Sequence, residues 1–308
     1  MGKYVPTILV FAVLVGSAAA FAVAERLKLE PSPILATRVT KAFSPVCKCA
    51  SSRARIAFRL GNPDVVSVSI VDADGRDVRV LVDNRAIGTK TVAFLWNGRD
   101  DSGQLVPDGL YHPRVRLAAP EKTFVLSNLI RVDTVAPRVA VVSVAPRTIS
   151  PDGDRRGDRV TVRYRLSQPA RAMLLVDGVR RVLTRDAKVA GELTWFGQTD
   201  GVSLAAGTHR LTVVAVDPSG NRSAPAPAGS VRIRYVELGK TVYRAHLGGT
   251  FLVSVSTDAR RVSWLLAGRH GTARPPVFRL PSPPALGSYT LYVAVGRHGA
   301  RARVVVVP

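Results

Sequence analysis

Apolar and polar side chains alternate along most of this chain. In Arg55-Ile56-Ala57-Phe58-Arg59-Leu60, residues Ile56, Phe58 and Leu60 fall on one face of an extended strand, with Arg55 and Arg59 on the other. Val66, Val68 and Ile70 repeat the pattern, Asp72-Ala73-Asp74-Gly75 supplies a tight turn, and Val78-Arg79-Val80 begins a return strand. Val92, Phe94 and Trp96 predict a further buried face, and Tyr111, Val115 and Leu117 another. The rhythm resumes with Val160, Val162, Tyr164 and Leu166, then Trp195, Leu211, Val231 and Ile233. It returns in Phe251–Val255, Val262–Leu265, Tyr289–Val293 and Arg301–Val307. Past the N-terminal region no stretch sustains a helical period, so the expected class is all-β: tandem β-sandwiches following one N-terminal hydrophobic helix.

The pattern is also duplicated. Residues 44–60 and 150–166 align without a gap: Ser44-Pro45 with Ser150-Pro151, Phe58 with Tyr164 and Leu60 with Leu166, each 106 positions apart. Trp96-Asn97-Gly98 is answered by Trp195-Phe196-Gly197, and Asp108-Gly109-Leu110-Tyr111 by Ala206-Gly207-Thr208-His209. An internal repeat of this length marks an array of modules rather than one large enzyme fold. Modules are expected over 41–137 and 138–235, with a third, less regular one over 236–308. Asp133-Thr134-Val135-Ala136-Pro137 would be a hinge, because proline cannot donate to a strand ladder and holds its neighbour extended. Phe58, Trp96, Tyr111, Tyr164 and Trp195 are the expected large core side chains, since burial is the default for such rings.

An uncharged, mostly apolar run spans Val5–Ala24, preceded by a short flank, 1–4, and ended by Glu25 and Arg26. Twenty helical residues reach about 30 Å, the thickness of a bilayer core, which favours a transmembrane anchor. The run also parses as a signal peptide cleaved after small residues such as Ala18-Ala19-Ala20. Either reading puts the modules outside the cytoplasm, with the membrane a partner through the N-terminal segment. Residues 25–40, with Pro31 and Pro33, read as an extended stalk.

These residues are similar to the immunoglobulin-like module of bacterial flagellar hook-capping proteins (the FlgD type). That family's pattern runs through a Ser-Pro-Asn-Gly-Asp-like turn, an Asp-x-x-Gly hairpin, a Trp-Asp/Asn-Gly-x-Asp-x-x-Gly turn and a Pro-x-Gly-x-Tyr strand. The first module has Asp72/Gly75, Trp96–Gly103 and Pro107-Asp108-Gly109-Leu110-Tyr111. The second has Ser150-Pro151-Asp152-Gly153-Asp154, Trp195-Phe196-Gly197 and Gly207-Thr208-His209, departing at Phe196 and His209; the third keeps Gly287-Ser288-Tyr289-Thr290-Leu291. The resemblance implies β-sandwiches acting as spacers or interaction units on an exported protein. It does not imply a hook cap.

Charge and chemistry sharpen this picture in a few places. The net charge is +22, and residues 239–308 carry nine arginines, one lysine and a single acid, Asp258. Arg301 and Arg303 share a strand face, with Arg297 across the Gly299 turn. Together with Arg260, Arg261, Arg269 and Arg279 they are candidates for a patch binding anionic envelope polymer, because guanidinium forks suit phosphate; a solvated, silent face is the alternative. Nucleic acid is disfavoured, as no aromatics interleave with the basic residues. Cys47 and Cys49 are the two cysteines; a local bridge, an intermolecular bridge and free or metal-bound thiols are all open. Asp152, Asp154 and Asp158, like Asp100, Asp101 and Asp108, have calcium-like spacing, but turn-building is the favoured explanation and no metal is expected. Neither a His-Glu-x-x-His helix, a Gly-x-Ser-x-Gly elbow nor a phosphate-binding loop motif occurs, so no catalytic residue and no cofactor are expected. The expected function is a non-enzymatic envelope protein, structural or adhesive, that contacts anionic polymer or envelope proteins; the alternative is an accessory subunit that targets an envelope hydrolase.

Overall fold

The computed structural model describes residues 5–28, 32–119, 121–199 and 201–308. The expected flank 1–4 and part of the expected stalk, 29–31, lie outside the described residues. Val5–Lys28 form one helix, and side chains within it such as Phe11, Leu14 and Phe21 are exposed. Among the described residues no helix is long and apolar enough to cross a membrane. The other described residues are strand, turn and connecting loop. The chain divides into two compact units, Met1–Asp133 and Thr134–Pro308.

The first unit holds a two-layer sandwich. One sheet is ordered Ile34–Val39, Ala54–Leu60, Val92–Trp96. The other runs Ala42–Phe43, Ile130–Val132, Gly109–Leu117, Asp64–Val71, Asp77–Ile87, with Lys122–Val125 added beside Gly109–Leu117. Alternation explains the layers: Ile56, Phe58 and Leu60 face inward from the first sheet and meet Val66, Val68, Ile70, Val115 and Leu117 from the second, all at most 2% exposed. The opening strand is split between sheets. Ile34–Val39 runs antiparallel to Ala54–Leu60, and Ala42–Phe43 then crosses over to pair in parallel with Ile130–Val132.

This corrects the expected stalk over residues 25–40. Ile34–Val39 belongs to the sandwich, and Ile34 is buried in its core. A register shift between Leu35 and Arg38, with Ala36 at φ 51°, breaks the period-two pattern and hides the strand in the sequence.

The second unit contains two further cores. In the first of these, Val139–Ala145 and Lys188–Trp195 flank the N-terminal half of the long strand Val160–Val176. The C-terminal half of that strand changes partners, pairing with Gly207–Val216 and Val179–Leu183. The switch falls around Pro169, which cannot donate to either ladder. Thr148–Ile149 pairs in parallel with Ala226–Ile233, repeating the split opening strand. The last sandwich has sheets ordered Glu237–Leu238, Thr250–Ser256, Val277–Pro281 and Val242–His246, His298–Val307, Gly287–Val295, Val262–Leu266, Arg269–Ala273. Its opening strand is split as well, with Val242–His246 parallel to His298–Val307.

All three sandwiches therefore share one topology. The first, second and fifth strands form one sheet, and the detached end of the first joins the remaining strands in the other. That is an immunoglobulin-like arrangement. The third sandwich follows it although its sequence keeps little of the repeat.

The second and third sandwiches meet within their unit through paired groups. The Tyr235 and His298 rings stack at 3.5 Å and 4°, and Thr257 Oγ1 donates to the Tyr235 carbonyl at 2.7 Å. Arg234 donates to Ser256 at 2.6 Å, and Arg232 pairs with Glu237 at 2.8 Å. Burial at this seam lowers the His298 pKa below the usual imidazole value.

Candidate functional site

The repeated motifs make one repeated contact. Trp96 and Trp195 each donate their indole N–H to a carbonyl three residues on, Arg99 or Gln198, at 3.0 Å. Each is almost fully buried, as are Phe58, Tyr111 and Tyr164. Phe43 and Tyr111 pack edge-on against Trp96 at 5.4 and 5.1 Å. The glycine two residues after each tryptophan has positive φ, 73° at Gly98 and 66° at Gly197. A Cβ there would lie 2.8 Å from the Pro45 ring and 2.6 Å from the Pro151 ring respectively. So the Ser-Pro turn and the Trp-x-Gly turn, distant in sequence, close the same end of each sandwich. Both motifs are visible in the sequence; their contact is not.

The loop after Ser44-Pro45 is tied by a disulfide between Cys47 and Cys49, whose Cα atoms are 5.2 Å apart. The segment is turned rather than extended, which brings the two side chains within bridging distance. So short a loop removes little chain entropy, less than the roughly 3 kcal/mol of a 15-residue loop. Reduction is accordingly expected to lower the melting temperature of the first unit by only a few degrees, checked by calorimetry with and without a phosphine reductant.

The aspartates fall into two groups. Asp100 accepts from Ser102 Oγ and the Gln104 amide, and Asp101 from the Val80 amide. Hydrogen bonding to Ser102 holds the Asp100 carboxyl below its ordinary pKa. These residues build their turn. Asp152, Asp154 and Asp158 also build their turn, accepting from the amides of Gly153, Asp154, Arg155 and Arg156, and in addition they converge, with ligand-capable oxygens all within 4.8 Å of one another.

The seven candidate arginines are all exposed, but they do not assemble into one patch. Arg301 and Arg303 lie on the outer face of the five-stranded sheet of the third sandwich, since Ala302, Val304 and Val306 point inward. The Arg301 guanidinium lies over the Tyr292 ring, 5.7 Å from its centroid. Arg279 is on the other sheet and donates to Thr250. Arg269 follows the Ala267-Gly268 turn at the far end of the Val262–Leu266 strand. Arg260 and Arg261 line an open groove of about 630 Å³ with Asp152, Asp154, Arg155 and Arg156. The Val295–His298 turn carrying Arg297 also reaches this groove through Val295 and Gly296. Period-two spacing reveals which residues of one strand share a face. It cannot show which sheet each strand joins.

No family model matches this chain, and no curated protein matches it. Solved structures do. The fibronectin(III)-like modules of Clostridium thermocellum CbhA are similar at 17% identity over 64% of this chain and 93% of that one, with a TM-score of 0.36. A bacterial ice-binding adhesin is similar at 13% identity, covering 90% of this chain and 97% of that one, TM-score 0.27. FlgD from P. aeruginosa is similar at 19% identity over 38% and 84%, TM-score 0.24.

Proposed function

We propose that this chain is a non-enzymatic protein of the cell envelope. In this reading the N-terminal helix acts as a membrane anchor or export signal, and the three sandwiches form a structural and adhesive extension outside the cytoplasm. The observation that carries the adhesive part is the outer face of the third sandwich. There Arg301 and Arg303 stand two residues apart on one strand, with Arg301 held over Tyr292. Neither arginine has a carboxylate partner among the described ion pairs. With Asp258 as the single acid of residues 239–308, this face is free to bind an anionic polymer such as a phosphate-bearing wall glycan. The FlgD-type resemblance, with its spacer role, supports the same reading.

Co-sedimentation of the chain lacking residues 1–28 with purified anionic wall polymer tests this. Pelleting is expected at about 50 mM salt and to fall several-fold by about 500 mM, as screening shortens the reach of the charges. Arg301→Ser with Arg303→Ser is expected to reduce low-salt pelleting several-fold. Pelleting that ignores both salt and the double substitution would overturn the reading.

A further inference from the structure

The seam between the second and third sandwiches gathers four carboxylates; three of them also accept amides of their own loop, Asp158 from Gly153 and Arg155, Asp154 from Arg156 and Asp152 from Asp154. Asp152, Asp154 and Asp158 come from the loop after Ser150-Pro151. Facing them is Asp258 from the third sandwich, so close to the loop that a Cβ on Gly157 would sit 2.5 Å from its Oδ2. Asp258 is the single acid among residues 239–308, where ten basic side chains are available as partners. It pairs with none of them among the described residues.

The oxygens themselves point to a missing positive partner. Asp152 uses Oδ1 to accept from the Asp154 amide, while its Oδ2 is buried with no hydrogen-bond donor. Oδ1 of Asp258 is buried and donorless too. Ser150, only 4% exposed, completes no hydrogen bond of normal geometry through Oγ, yet that hydroxyl faces the Asp258 carboxylate and favours its charged form. A buried carboxylate oxygen without a donor is costly, and here there are two, Asp152 Oδ2 and Asp258 Oδ1. The ring of Arg155, Arg156, Arg260 and Arg261 around the groove leaves these inner oxygens unpaired.

We propose that Asp152, Asp154, Asp158 and Asp258, with Ser150 Oγ, form a calcium site that locks the third sandwich onto the second. Hard carboxylate and hydroxyl oxygens in a loop of this size suit calcium, which accepts six to eight oxygen ligands in flexible geometry. Magnesium demands a tighter octahedron and keeps its water. The comparison with the first sandwich fits the assignment. Cys47 aligns with Gly153 and Cys49 with Arg155, so the loop that a disulfide ties in one module is tied by an ion in the other.

Calorimetric titration of the full chain, first stripped with chelator, tests the site with calcium chloride alone. The expected result is one ion per chain with a dissociation constant on the order of 0.1–1 mM, as in other extracellular modules. Hydrogen exchange is expected to slow on calcium addition at amides 153–157, and the melting temperature of residues 134–308 to rise by several degrees at 10 mM. Asp152→Asn with Asp258→Asn is expected to weaken binding at least ten-fold, and the exposed Asp154→Asn to weaken it in a chain whose fold is not at risk. Absence of binding heat and of slowed exchange in the parent chain at 10 mM calcium overturns the proposal without recourse to any variant. Undiminished binding by the substituted chains overturns it equally.

Discussion

Trp96→Ala is expected to cost about 3–5 kcal/mol, the range for emptying a large aromatic from a packed core. The indole is 1% exposed and touches the rings of Phe43 and Tyr111. Those neighbours come from opposite ends of the module sequence, so the ring joins the crossed-over strand Ala42–Phe43 to Gly109–Leu117 as well as filling space. Truncation removes aromatic contacts, leaves a cavity and strands the Arg99 carbonyl that the indole N–H satisfies. For a domain of about 100 residues this corresponds to a fall of roughly 10 °C or more in melting temperature. Calorimetry of the full chain checks it. The transition of residues 34–132 should move and that of residues 134–308 should stay, because Trp96 belongs to the first core alone. Trp96→Phe should recover part of the loss, since it keeps a ring but not the donor. A ligand-stacking role would reverse the pattern, leaving melting nearly unchanged.

That core was readable from the sequence because one-sided burial imposes a period of two, and Ile56, Phe58 and Leu60 show it without interruption. The strand Ile34–Val39 was not, because a bulge at Leu35–Arg38 breaks the period and nearby prolines imitate a linker. The third sandwich was hard to relate to the others for a different reason. Its turns lost the Trp-x-Gly and Ser-Pro motifs, while strand order depends on which faces are buried, and that survived. The acidic seam shows the limit more sharply. Asp152, Asp154 and Asp158 are visible as a spacing, but turn-building explains a spacing equally well. What separates the two groups of aspartates is a residue about a hundred positions away, Asp258, brought alongside by the docking of two sandwiches. The arginines carry the same lesson: facing is local information, and sheet membership is not.

Gly98→Ala is expected to destabilise the first sandwich by more than about 2 kcal/mol, and Gly197→Ala the second by a similar amount. Two effects combine. At φ 73° and 66° an L side chain costs about 1–2 kcal/mol through its contact with the following carbonyl. The new Cβ would also sit within 3 Å of Pro45 or Pro151, ring atoms that cannot swing aside as a flexible side-chain tip could. Gly75 provides the control, since it has φ 79° with nothing within 4 Å of the added carbon. Gly75→Ala should therefore pay for conformation alone, and the excess at Gly98 measures the steric contact. Pro45→Gly in the Gly98→Ala background removes the ring and should restore most of that excess, a coupling readable from a double-mutant cycle in urea. Equal losses at Gly75 and Gly98, with no coupling to Pro45, would mean that the two repeated motifs merely lie near each other rather than brace one another.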